Sequence, residues 1–258
     1  MAEKCELCQQ PSVLQESHLL PKALYKHLRD KDGPNPNPLV FSAQDEHQSS
    51  RQAFQPLLCF ECEQRFHKHG ENWVLSHSAR DTGRFKLREL LLAHPCEKLH
   101  DDLYCFRCTE IPEVDTDALC YFALSVIWRA AVRSWRIDNL LIEQLVLGPY
   151  TEPFRSYLCG SGPFPDNMAL FVTVSTLENV LLMCTQPQTR KWNGYACHFF
   201  SIPGLTFAVY CGKLIPQLFR EGCIHRGAGR PIFYTPLDDL VNIRDFNRLA
   251  AMRRASAR

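Results

Sequence analysis

The sequence predicts an α+β chain in two parts, and three observations carry that reading. Two C-x2-C pairs, Cys5/Cys8 and Cys59/Cys62, bracket a stretch rich in histidine. Residues 115–135 carry apolar side chains around most of a helical circumference, as a central buried helix does. Two strand-like runs, 195–202 and 205–211, meet at Pro203-Gly204, a turn dipeptide, which is the pattern of an antiparallel hairpin. Eight of the ten histidines lie within the first hundred residues. Residues 1–95 are therefore read as a small ligand-rich module, and 96–258 as a larger α+β domain with a buried helix and an antiparallel sheet.

In the front part, Pro21 suits a first helical turn and predicts a helix from there to about Arg29. The segment Asp32-Gly33-Pro34-Asn35-Pro36-Asn37-Pro38 can neither form a helix nor pair in a sheet, and the polar stretch through Gln55 reads as an exposed loop. The second cysteine pair then leads straight into a helix near Cys62, whose apolar side is Phe66, Trp73 and Val74. Residues 84–93 have helical spacing and stop before Pro95.

In the back part, Asp115 or Thr116 caps the long helix, with Leu119, Phe122, Val126, Ile127 and Ala130 on its apolar surface. Trp128, Trp135 and the phenylalanines are read as core. A second helix is expected over 152–158, further strands over 169–175 and 180–185, and a closing arginine-bearing helix from about Leu237.

Composition narrows the class. A chain that is 45% hydrophobic and 22% charged can bury a core and is not globally disordered. No apolar run reaches the roughly 18 residues of a membrane span. The N-terminus lacks the basic-then-apolar order of a secretory signal, so a cytoplasmic location with no membrane partner is expected. Thirteen cysteines, an odd number, argue against a complete disulfide framework. Cys120, Cys159, Cys184, Cys197 and Cys211 sit in apolar runs, where a thiol behaves as a small hydrophobe. A net charge of +1 advertises no polyanion partner globally, although a groove needs only a local field.

The paired cysteines call for a ligand. Two C-x2-C knuckles supply four soft thiolates to one tetrahedral Zn²⁺, a structural ion that holds together a region too small for its own core. Four unrelated buried thiols are the plain alternative, but each pair stands beside turn-forming or helix-starting residues. Cys105 and Cys108 form a third pair inside a strand-like run and read as structural. Cys96 with His94 and His100 stays open as a second site.

Cys5-x2-Cys8, Ser17-His18-Leu19-Leu20-Pro21 and Leu58-Cys59-x2-Cys62-Glu63 together resemble the zinc-containing form of the HNH endonucleases, also called His-Me finger or ββα-metal nucleases. A knuckle running into a helix is similar to the treble-clef zinc finger. The resemblance covers roughly the first 75 residues. It implies that His18 is the general base that takes a proton from the water attacking a phosphodiester. It also implies that the residue before His18, and one early in the helix after the last knuckle, hold a single Mg²⁺ or Mn²⁺. By position Glu63 is that helix residue, and His67 or His69 would supply the missing cation ligand, since residues four apart such as Glu63 and His67 share a helix face. An imidazole with a pKa of about 6.5 suits the base, and a carboxylate suits a hard cation. Lys22, Lys26 and Arg29 would meet phosphates of the nucleic acid, expected to be DNA. The activity so implied is that of a bacterial restriction or phage-defence effector.

Two positions depart from the family. Ser17 stands where an acidic residue or histidine is common, and no asparagine precedes Cys59 at the expected place; Gln52 and Gln55 are the nearest amides. Two other classes therefore remain open: a zinc-bound nucleic-acid-binding protein without cleavage, and a zinc-stabilised interaction or regulatory protein.

Overall fold

The structure is a computed structural model that describes residues 3–29, 37–41, 46–80, 82–176, 182–192 and 194–235. Its front opens with an antiparallel ribbon of Glu3–Lys4 and Pro11–Ser12, and the first cysteine pair lies in the loop between them. Strand β1 (Leu14–His18) leads to helix α1 (Lys22–His27), which starts directly after Pro21, where the fixed φ of proline suits helix entry. Strand β2 (Phe54–Cys59) pairs antiparallel with β1 and runs into helix α2 (Phe60–Phe66). A turn of π-helix, His67–Glu71, joins α2 to α3 (Asn72–His77), so that 60–77 forms one unbroken helical rod. Helix α4 (Lys86–Leu92) follows.

The back contributes strands β3 (Glu97–His100) and β4 (Leu103–Arg107), helices α5 (Thr116–Val132) and α6 (Thr151–Cys159), and strands β5 (Met168–Val174), β6 (Gln188–Trp192), β7 (Tyr195–Ile202) and β8 (Leu205–Cys211). Helix α7 (Gln217–Glu221) and strand β9 (Pro231–Tyr234) complete it. Seven strands form one sheet in the order β6-β7-β8-β5-β9-β4-β3. Every pairing is antiparallel except β5 with β9. The β7–β8 hairpin turns on Pro203-Gly204, with Gly204 at φ +78°, the left-handed position that glycine fills most readily.

Helix α5 is buried from Thr116 to Ala130 apart from Asp117, and Asp115 caps it by accepting from the Ala118 N–H at 2.8 Å. One side packs on the sheet, where the Phe122 ring lies 5.9 Å from Phe200 and 5.5 Å from Phe207. Another side meets the front rod at Gly70, where a Cβ would lie 2.8 Å from the Phe122 backbone nitrogen. Glycine at this point lets two helices approach to backbone contact. The buried apolar cluster consequently runs from Cys5 through α5 to Ile232.

Several expectations need correction. The long helix stops at Val132, and Trp135 begins a short ribbon, Trp135–Ile137 with Leu140–Ile142. The stretch read as loop up to Gln55 contains a ribbon of Leu39–Phe41 with Glu46–Gln48, and β2 starts at Phe54. The strand expected over 180–185 lies partly outside the described residues, and the ladder beside β7 is instead the polar run Gln188–Trp192. Its lysine and arginine suit the outer edge of a sheet, where charge discourages further pairing. The arginine-bearing helix expected from Leu237 lies outside the described residues. Among the described residues no helix is long and apolar enough to cross a membrane.

Candidate functional site

The two cysteine pairs, 51 residues apart from Cys8 to Cys59, converge. The first knuckle is a tight turn: the Gln9 N–H donates to the Cys5 carbonyl at 2.9 Å and the Cys5 N–H to the Gln10 carbonyl at 3.0 Å, with Gln9 at φ +63°. It meets the second knuckle through the Glu6 N–H, which donates to the Leu57 carbonyl at 3.1 Å. Helix α6 pins it from outside, because Arg155 Nη1 donates to the Leu7 carbonyl at 2.7 Å.

The four sulfurs lie within 4.8 Å of one another, and Cys8 Sγ stands 3.8 Å from Cys59 Sγ. Tetrahedral coordination with zinc–sulfur bonds of about 2.3 Å requires sulfurs about 3.8 Å apart. The quartet therefore has the size and the soft donors that a structural zinc ion takes. Its protons reflect the crowding. The hydrogen bond shared with Cys62 pulls the Cys5 thiol well down and pushes Cys62 far up, and burial raises Cys59. Four sulfurs this close cannot all ionise alone, whereas a bound cation would draw the remaining protons off.

Immediately beside the quartet is a buried polar network. Strand alternation turns Ser17 inward and leaves Glu16 exposed. Ser17 Oγ donates to Glu63 Oε1 in the first turn of α2 and accepts from the Leu58 N–H at 3.2 Å. Burial raises the Glu63 carboxyl above its ordinary range, against the opposing pull of Arg129 and the Ser17 hydroxyl. His18 is half-buried with its ring 5.6 Å from Phe54. Burial, then Lys22 and Arg129, hold its imidazole below the usual 6.5, so it is neutral at pH 7.

Arg129 ties these parts together. Its Nη1 donates to the His18 carbonyl at 2.7 Å and its Nη2 to Glu71 Oε1 at 2.8 Å, while the guanidinium lies over the Phe66 ring at 5.3 Å. The paired side chains are only 1% and 12% exposed, so this is an interior ion pair. Glu71 closes the π-helical turn, and such turns recur at functional sites.

Of the residues singled out from sequence, Cys5, Cys8, Cys59 and Cys62 come together, and Glu63 joins the strand of His18 through Ser17. His67 is exposed on the rod. Lys22, Lys26 and Arg29 are exposed on and just beyond α1, with Lys22 close enough to act on His18. His94, Cys96 and His100 form no ligand group; the cysteine quartet is the one such cluster among the described residues. Cys105 and Cys108 are buried on and beside β4, their thiols raised by burial, as inert cysteines are. Arg129 and Glu71 went unnoticed in the sequence, although an arginine inside an otherwise apolar helix is a legible signal for a buried charge. No protein-family model, curated protein or solved structure matches the chain.

Proposed function

We propose that the chain is a metal-dependent endonuclease of the HNH type, hydrolysing phosphodiester bonds in DNA around a zinc-clamped, treble-clef-like module. One observation carries this above all. Ser17 and Glu63, 46 residues apart, are the two positions at which the resemblance puts the cation-holding groups, and their side chains are hydrogen-bonded to each other. The surrounding order is also that of a ββα unit, with β1 antiparallel to β2 and α2 following without a break.

Ser17 and Glu63 offer a hydroxyl and a carboxylate, a sparse oxygen set of the kind Mg²⁺ or Mn²⁺ accepts when water and phosphate complete its shell. A cation bound there supplies charge stabilisation to the phosphoryl oxygens and the departing alkoxide. A ring nitrogen of His18, neutral at pH 7, accepts the proton of the attacking water. The new bond joins that water oxygen to phosphorus, and the bond to the leaving sugar oxygen breaks. Lys22, with Lys26 and Arg29 beyond it, gives α1 an exposed cationic side for the flanking phosphates. A role in restriction or phage defence is part of the same proposal.

Plasmid DNA incubated with the zinc-loaded protein in Mg²⁺ or Mn²⁺ is expected to be nicked or linearised. His18→Ala should abolish this with zinc content unchanged. Equal cleavage by parent and variant would remove His18 from the chemistry. A second reading has its own observation: the Ser17 hydroxyl already serves Glu63 and the Leu58 N–H, which suits a structural clasp. Such a protein would bind DNA with a steep salt dependence and never cut it.

A further inference from the structure

The turn after α3 builds a cation cluster that neither the cysteine quartet nor the His18 strand uses. Ser76, Ser78, Arg80, Arg84 and Lys86 line a surface cavity of about 250 Å³. The turn is closed by its own backbone: the Arg80 N–H donates to the Arg84 carbonyl at 2.9 Å and the Gly83 N–H to the Arg80 carbonyl at 3.0 Å, with Gly83 at φ +74°. Ala79 pairs with Phe85 across its base, and the Ala79 N–H donates to the Pro203 carbonyl at 3.1 Å, which fastens the turn to the β7–β8 hairpin. Arg80 and Arg84 are therefore held opposite each other on a braced frame rather than on a free loop.

None of the three cations has a carboxylate partner among the described residues. Like charges gathered in this way repel unless an anion is shared between them. The end of α3 works against an anion with a partial charge of about −0.5, and the turn's own sequence adds Asp81, but Arg80, Arg84 and Lys86 outnumber that single carboxylate. The positive field is felt nearby, since after burial Lys86 and Arg80 are what hold His77 below its ordinary range. Two guanidinium forks and an ammonium are donors that fit a tetrahedral oxyanion, while the Ser76 and Ser78 hydroxyls already donate to the Trp73 and Leu75 carbonyls at 2.8 and 3.4 Å. The volume exceeds the few waters, at roughly 30 Å³ each, that a phosphoryl group displaces.

We propose that this cavity is a phosphate-binding site, which takes either a backbone phosphate of nucleic acid or a free phosphate. It is argued from its own lining and does not depend on cleavage at His18. Along the rod, Ser76 is thirteen residues from Glu63, roughly 20 Å at 1.5 Å per residue, so the two sites are separate.

The test uses the full zinc-loaded chain without Mg²⁺ or Mn²⁺ and compares the parent with Arg80→Gln/Arg84→Gln. A backbone phosphate as ligand predicts that the double variant binds a DNA duplex more weakly, by roughly tenfold per lost contact at 0.1 M salt. The slope of log affinity against log salt should become shallower by about 1.8. A free phosphate as ligand predicts saturable shifts of the Ser76, Ser78 and Gly83 amide resonances with inorganic phosphate, absent from the variant, while duplex binding stays equal. Should duplex binding match in parent and variant, and inorganic phosphate move none of these amides, the site does not exist. Arg80→Lys/Arg84→Lys keeps the charge without the forks and should retain part of either signal. His18→Ala should bind phosphate as the parent does, so a failure of the cleavage proposal leaves a separate signature.

Discussion

The front and the back of this molecule bury different things. The back encloses rings and aliphatic chains: Phe122, Phe200 and Phe207 stack α5 on a seven-stranded sheet that would be recognisable without any ligand. Beside its buried leucines the front encloses four thiols, a serine and a carboxylate, and its Glu71 pairs with Arg129 of α5. Apolar burial is non-directional and tolerates substitution, whereas polar burial holds only where every partner is in place. The contrast teaches that the cysteine quartet and the Ser17–Glu63 contact sit where the interior is most expensive to maintain.

The sharpest way to break the contrast is to remove the clamp. Cys59→Ser or Cys62→Ser should abolish zinc binding, a contribution on the order of 10 kcal/mol in small zinc domains. Elemental analysis of the parent is expected to give one zinc per chain. Loss of front amide protection in hydrogen exchange, with the β7–β8 hairpin still protected, would establish the division of labour. A variant that exchanges like the parent would refute it.

Next in size is the interior ion pair. Arg129→Ala leaves Glu71 and the His18 carbonyl without their partner, and breaking a buried pair in this way costs about 3–5 kcal/mol. Urea denaturation measures it, and Arg129→Ala/Glu71→Ala should cost clearly less than the sum of the two single changes. Additive losses would mean that the two side chains do not depend on each other.

The back buries polar side chains of its own, among them Ser125, Ser201 and His198. His198 is buried on β7, shares a 2.7 Å hydrogen bond with Thr189 Oγ1, and has no hydrogen-bond partner at Nε2 among the described residues. Burial holds it down at about 4, against 6.5 when free. The unfolded chain therefore takes up the proton first as the pH falls. The stability due to this group is complete above about pH 6.5 and is lost down to about pH 4, at most roughly 3 kcal/mol. His198→Gln should flatten the fall in stability between pH 6.5 and 5; an unchanged slope would clear His198 of the effect.

The smallest expected change is at the cap of α5. Asp115→Ala removes the acceptor of the Ala118 N–H and should cost about 1 kcal/mol, read as a small drop in melting temperature. A cost several times larger would show that α5 depends on local signals as much as on its packing.

Spacing and periodicity carried a good deal of this molecule. The cysteine pairs announced their quartet because a knuckle is a local object, and the α5 and β7–β8 patterns announced a helix and a hairpin for the same reason. What failed to show was non-local or masked by composition. The strand Gln188–Trp192 is polar because it lies at a sheet edge, and β9 is only four residues long and pairs in parallel with a strand far back in the chain. Gly70 carries no pattern at all, and its use appears only where α5 crosses the rod.

The same boundary runs through the site. The cysteine pairs at Cys5/Cys8 and Cys59/Cys62 and the helix after the second pair follow from short-range spacing, whereas His18 and Glu63 were singled out only by the resemblance and strands β1 and β2 carried no pattern. That Ser17 meets Glu63 across 46 residues, and that Arg129 reaches the His18 carbonyl across 111, was settled by packing. Side-chain patterning dictates which face an element buries, but not which buried faces meet. Contacts between distant segments arise only when α5, the sheet and the cysteine knuckles compete for the same interior and come to rest together.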